Sequence, residues 1–119
     1  MRRLAIAALL LLAPAAARAD DCDKAVVQTD IDRCMQGRYD AADKALNDAW
    51  RALPDASKAS LRGEERAWIA RRDADCKDET ADSEGGSIYP TLYYGCMEKK
   101  TRERTGWLKA RAHRSRTKK

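Results

Sequence analysis

Phenylalanine is absent from this 119-residue chain, and histidine occurs once, at His113. Without Phe, large apolar area must come from Leu, Tyr and the three tryptophans. A single histidine excludes a Cys2His2 metal site, and its terminal place in a basic tail argues against a serine–histidine–acid set. No C-x-x-C pair occurs, and G-x-S-x-G, H-E-x-x-H and P-loop patterns are missing too. The acidic pair Glu64-Glu65 is adjacent on a helical stretch, so the two carboxylates diverge. Neither catalysis, nor a cofactor, nor a metal is expected. Also missing is any run of roughly 20 apolar residues, the length that spans a bilayer. No segment alternates with period two, so strands are not expected.

The N-terminus carries the longest apolar run. Met1-Arg2-Arg3 is a basic start, Leu4 to Leu12 is Leu, Ala and Ile, and Pro14 and small residues follow. Ala17-Arg18-Ala19 fits an A-x-A cleavage pattern. Residues 1–19 therefore read as a cleavable signal peptide, with no stable membrane insertion afterwards and a periplasmic or secreted destination. Cleavage removes three of the 24 basic residues and none of the 19 acidic ones, leaving 100 residues of net charge +2. Residues 109–119 hold six of the remaining basic groups and no acid. The chain is thus one acidic domain, 20–108, with a basic C-terminal tail. An exported, acidic body argues against nucleic acid as a partner. Arg111, Arg114, Arg116, Lys118 and Lys119 suit an anionic envelope surface, or merely solvate a fraying end.

Cys22, Cys34, Cys76 and Cys96 remain after cleavage, and an even number in a short exported chain reads as two disulfides. Three pairings are open. Cys22–Cys34 with Cys76–Cys96 is favoured, because the second pair then closes a loop through a glycine-rich segment. Twelve residues of straight helix span about 18 Å, so a Cys22–Cys34 bridge requires residues 22–28 to fold back.

The remaining pattern is helical. Thr29-Asp30-Ile31-Asp32 resembles a capping box. Ile31, Met35, Tyr39, Ala42, Leu46, Trp50 and Leu53 then recur at steps of three or four, one helical face closed by Pro54. Gly37 is a candidate bend. A second helix starts near Asp55 and turns Leu61, Trp68, Ile69 and Cys76 inward. It ends in the polar stretch 78–83, before a loop at Gly85-Gly86-Ser87. A third begins after Pro90, with Leu92, Cys96, Met97, Trp107 and Leu108 buried. The expected fold is all-α: three to four helices in a small bundle stapled by two disulfides.

The stretch Leu61 to Cys76, LRGEERAWIARRDADC, resembles the signature of the LprI-type lysozyme-inhibitor family: leucine, three variable residues, Gln-Arg-Ala-Trp, then Arg-Asp and cysteine. Thr29 to Cys34, Ala42-Asp43-Lys44-Ala45-Leu46-Asn47, Gly85-Gly86-Ser87, Cys96 and Thr101 to Arg104 resemble further pieces in the same order. The chain departs from that pattern at Glu65, where the family has Gln, and at Glu64 and Trp50. The resemblance implies a non-catalytic inhibitor of lysozyme-type muramidases. The alternative is an envelope scaffold or interaction protein that binds anionic components, or another envelope protein, through its basic tail.

Two groups of residues are candidates for a role. Asp43, Asn47, Arg72 and Arg104 are expected to form an interhelical polar brace, with an arginine against Asp43 and Asn47 completing the hydrogen bonds. Ser83 to Pro90 joins flexible glycines to an aromatic ring and a proline, and Tyr93-Tyr94 follow. Tyrosine, serine and glycine suit a protruding recognition loop. A structural turn with its tyrosines tucked into the core is an equal reading. Glu84, Gly85, Gly86, Ser87 and Tyr89 are the candidate partner-binding residues, entering an enzyme cleft by occlusion. The tryptophans read as core.

Overall fold

The computed structural model describes residues 19–118. The expected signal peptide, apart from Ala19, lies outside the described residues. The order is a 3-10 turn at Ala19–Lys24, helix α1 at Gln28–Arg51, α2 at Asp55–Glu79, a short 3-10 turn at Ala81–Ser83, and α3 at Tyr89–Thr117. No strand occurs among the described residues, and none of the described helices is long and apolar enough to cross a membrane. The fold is all-α with two disulfides, Cys22–Cys34 and Cys76–Cys96. The fold-back that the first bridge demands is present: the 3-10 turn stops at Lys24, and α1 starts only at Gln28.

α1 and α3 run parallel and pack along their length. Near their starts, the Thr91 hydroxyl donates to Asp32 Oδ1 at 2.6 Å, and Gln28 Nε2 donates to the same oxygen at 2.8 Å. Further along, Arg38 Nε donates to Glu98 at 2.9 Å, and the Tyr39 and Tyr94 rings stack at 6.0 Å. Close approach matters here: a Cβ on Gly95 would lie 3.2 Å from Met35 Cε. At the far end Leu46, Leu53, Leu61, Leu108 and Ala112 make the apolar core, with Trp50, Trp68 and Trp107 packed on it. All three tryptophans are therefore core-lining.

α2 runs back antiparallel to both, on the outside of this pair, and is tied to α3 by an antiparallel ladder. Leu61 and Leu108 share the core, Glu65 meets Arg104, Arg72 meets Thr101, and Cys76 bonds Cys96. The buried positions of α2 are Leu61, Glu65, Arg72 and Cys76, which keep the i, i+4, i+7 rhythm of one helical stripe. On α3 the stripe is Met97, Thr101, Arg104, Thr105, Leu108 and Ala112.

Four expectations change. No side-chain cap starts α1, whose N-cap is Val27, because Asp32 is taken by Thr91 across the interface. α1 does not break at Gly37. Ile69 and Leu92 are 38% and 41% exposed: the buried stripe of α2 runs through Glu65 and Arg72 instead, and at the start of α3 it is Thr91 that meets α1. The segment after Leu108 does not fray: α3 continues to Thr117, because Ala112 packs into the core and Ala, Lys and Arg are good helix formers.

Closing the loop between Cys76 and Cys96 restricts the unfolded chain. Replacing both by serine is expected to cost about 3 kcal/mol in urea unfolding. An unchanged midpoint would contradict this. The Thr91 hydroxyl, with help from Gln28, holds the Asp32 carboxyl below the usual aspartate range. A folded-state pKa below the unfolded one contributes stability above the unfolded value, lost as pH falls through the folded value. Asp32→Asn is therefore expected to flatten the loss of stability between about pH 4 and pH 2. Equal slopes for parent and variant, measured by urea unfolding across that window, would refute it.

Candidate functional site

The connection between α2 and α3 lies at one end of the bundle and is largely exposed. Its first part is a turn in which Ser83 N–H bonds the Thr80 carbonyl at 3.0 Å and Gly86 N–H bonds that of Ser83 at 3.0 Å. Gly85 has φ +82°, a conformation that favours glycine. Glu84, Gly85, Gly86, Ser87 and Ile88 are all exposed, and Tyr89, the first residue of α3, is half-buried. The base is held at two points. The Thr80 hydroxyl donates to the Cys76 carbonyl at 2.6 Å, and Cys76–Cys96 joins the two helices.

Tyr89 is fixed by a row of rings. It stacks on Tyr93 at 5.7 Å, Tyr93 meets Tyr94 edge-on at 5.6 Å, and Tyr94 stacks on Tyr39 of α1. The Arg72 guanidinium lies 5.6 Å above Tyr39. Burial pushes the Tyr39 and Tyr93 hydroxyls above the usual phenol range, and for Tyr93 the nearby Asp73 carboxylate adds to this. Both hydroxyls therefore stay protonated, able to donate and accept, through any neutral range. The tyrosines are partly tucked in while the glycine turn stands free, so the segment combines features of both sequence readings.

The surface beside the loop is acidic. Asp73, Asp75, Asp78, Glu79, Asp82 and Glu84 are all exposed. Glu79 holds Lys100 of α3 at 2.9 Å, which raises the lysine's pKa.

The polar brace sits elsewhere, between α2 and α3, with different partners from those expected. Arg104 is 7% exposed; its Nε donates to Glu65 Oε2 at 2.8 Å, and Nη2 lies 2.8 Å from the same oxygen. Its guanidinium is 3.9 Å from the centre of the Trp107 ring and 5.4 Å from that of Trp68. Arg72 Nη1 donates to Thr101 Oγ1 at 3.2 Å, and its Nε to Asp73 at 3.0 Å. Asp43 and Asn47 bond each other at 3.4 Å along α1, and no hydrogen bond or ion pair joins them to either arginine among the described residues. Arg104 is instead taken by Glu65, and Arg72 by Thr101 and Asp73. Asp43, Asn47 and Arg72 instead line a groove of about 290 Å³ between α1 and α2. Glu65 is the residue that sequence reasoning missed. Its signal was the i, i+7, i+11 spacing with Arg72 and Cys76, obscured by the expectation that a glutamate faces water.

With this arrangement in view, the family model for the lysozyme inhibitor LprI matches residues 19–108. The chain belongs to the lysozyme inhibitor LprI family. An uncharacterized protein of Rhizobium meliloti (strain 1021) is 37% identical over 131 aligned positions, covering 92% of this chain and 94% of the relative. No solved structure matches significantly. Within this LprI-family chain, the family signature 61–76 supplies the buried stripe of α2, so it encodes the ladder to α3 rather than the exposed loop.

Arg104→Ala would strand the Glu65 carboxylate in the seam. The expected cost is about 3–5 kcal/mol in urea unfolding. Pairing it with Glu65→Leu is expected to recover most of that loss, since the uncompensated charge is gone. If the single variant were as stable as the parent, the pair would not be a structural brace.

Proposed function

We propose that this protein is an exported, non-catalytic inhibitor of a lysozyme-type muramidase that acts by occluding the enzyme's cleft. The observation that carries the reading is the loop 84–89: exposed at its glycines, pinned at Tyr89 by the row of tyrosine rings, and stapled at its base. Such a loop loses little conformational entropy on binding, because its ends are already fixed. Glu84, Gly85, Gly86, Ser87 and Tyr89 are the contact residues in this reading. Tyr89 supplies apolar area, Ser87 an adaptable hydroxyl, and the glycines allow close backbone approach. The exposed carboxylates from Asp73 to Glu84 favour encounter with a cationic enzyme and add to the association rate.

The test is lysis of bacterial cell walls by a c-type lysozyme, with the oxidised protein and with a reduced, alkylated control. Slower lysis with the oxidised form alone is expected. A Tyr89→Ala, Ser87→Ala double variant is expected to lose about tenfold or more in inhibition, the range of a truncated interface anchor. A double variant that inhibits as well as the parent would rule out this loop as the contact.

A further inference from the structure

Exposed apolar side chains are concentrated at one end of the molecule. Among the described residues the exposed large apolar ones are Val26, Val27, Ile69, Ile88 and Leu92. All but Ile69 lie where α1 and α3 begin. The two starts are side by side, since Gln28 Nε2 donates to Thr91 Oγ1 at 3.0 Å. Val26 is 92% exposed and Val27 58%. Apolar residues scattered singly over a surface are ordinary, but a group gathered at one end is not.

Folding does not account for Val27. It is the N-cap of α1, with the extended backbone (φ −93°, ψ 134°) that a capping residue adopts, yet no side chain caps the helix. Serine, threonine, aspartate or asparagine at this place would bond a free N–H of the first turn, which valine leaves to water. Ile88, the N-cap of α3, provides no side-chain cap either. A local preference given up at two neighbouring helix starts, with no gain in burial, marks a surface kept for something other than stability. The valines are also held in place. Ala25 N–H bonds the Cys22 carbonyl at 3.1 Å, the Asp30 and Ile31 N–H groups bond that of Val27 at 2.9 and 3.0 Å, and Cys22–Cys34 ties the fold-back to α1. Little conformational freedom remains to be lost on binding.

Charge narrows the occupant. Residues 22–33 and 82–92 contain five carboxylates, Asp23, Asp30, Asp32, Asp82 and Glu84, against Lys24 and Arg33. Arg33 is itself turned to Asp30 at 3.4 Å. The next turns of the three helices, 34–40, 77–81 and 93–100, hold equal numbers of acids and bases, so the acidic excess stands. An apolar patch in an acidic surround is repelled by an anionic bilayer and by a second copy of itself, and is complementary to a cationic protein. Ile88 joins the patch to its chain neighbours Ser87 and Tyr89 in the loop. We infer that Val26, Val27, Ile88 and Leu92 are the apolar part of the contact with the cationic enzyme, docking beside the cleft that the loop enters. This rests on the inhibitor reading and extends its contact surface to the fold-back before α1.

The test is titration of the oxidised protein with a c-type lysozyme, followed by calorimetry and by cell-wall lysis. The parent is compared with a Val26→Ser, Val27→Ser double variant and with Ile69→Ser. The double variant is expected to bind and inhibit about tenfold more weakly. Its thermal midpoint is expected to stay level or rise, because a serine at that N-cap can cap α1. Ile69→Ser, which alters the exposed apolar residue away from this end, is expected to behave like the parent. If the parent inhibits and the double variant inhibits equally, this inference falls and the loop remains the contact. If the parent neither binds nor slows lysis, the inhibitor reading falls and this inference with it. A lowered midpoint would show that the valines serve the fold instead. A dimer, or binding to anionic phospholipid vesicles, that disappears in the double variant would assign the patch to another occupant and overturn the proposal as well.

Discussion

Arg104 is the central rung of the ladder that holds α2 to α3, between the shared leucine core and the Cys76–Cys96 bridge. Its guanidinium lies between the rings of Trp68 and Trp107 and reaches the buried carboxylate of Glu65. An arginine suits this place because its planar group can stack on an indole and hydrogen-bond at its edge at once. A lysine there would keep the charge and lose the stacking. Glu65, in turn, has no substitute within the ladder: Asp73 is committed to Arg72, and Glu64 reaches Arg104 only at 3.7 Å. The pair fixes the register of α2 on α3, and register decides whether Cys76 faces Cys96.

The two ends of the bundle are stabilised by different physics. At the end where α1 turns into α2, leucines and tryptophans are buried together, and the stabilisation is hydrophobic. At the loop end the buried or half-buried groups are cysteines, tyrosines, a glutamate and threonines, linked by bridges and hydrogen bonds. A chain of this size, lacking phenylalanine, has too little apolar area to fill both ends. Cross-links take over where the core stops. The loop 84–89, the contact surface in the proposed reading, is thus mounted on the end whose geometry depends on oxidation.

Helix number, helix limits near Pro54 and Pro90, and the cysteine pairing were legible because they follow from periodicity, breakers and loop length. The face of α1 was legible for the same reason, since Ala42 and Leu46 are buried and apolar, and Leu53 follows them into the core just past the helix end. The seam between α2 and α3 was not. It buries Glu65, Arg72, Thr101 and Arg104, residues that a hydrophobicity pattern assigns to solvent, and it exposes Ile69 and Leu92. Polar burial is decided by pairwise geometry across two helices, which a single sequence does not display. The same limit hid the groove at Asp43 and Asn47, and made a tail of Lys and Arg look unstructured when Ala112 anchors it.

α3 carries one further consequence. It begins beside the acidic loop and ends, at Thr117, among the exposed Arg111, Arg114 and Arg116. Because it is a single unbroken helix, the negative and positive regions are held apart at a fixed distance instead of averaging out, as they would on a flexible tail. The molecule is an electric dipole with a rigid axis. An anionic surface would attract the basic end of such a dipole and leave its loop facing outward, so orientation would precede contact.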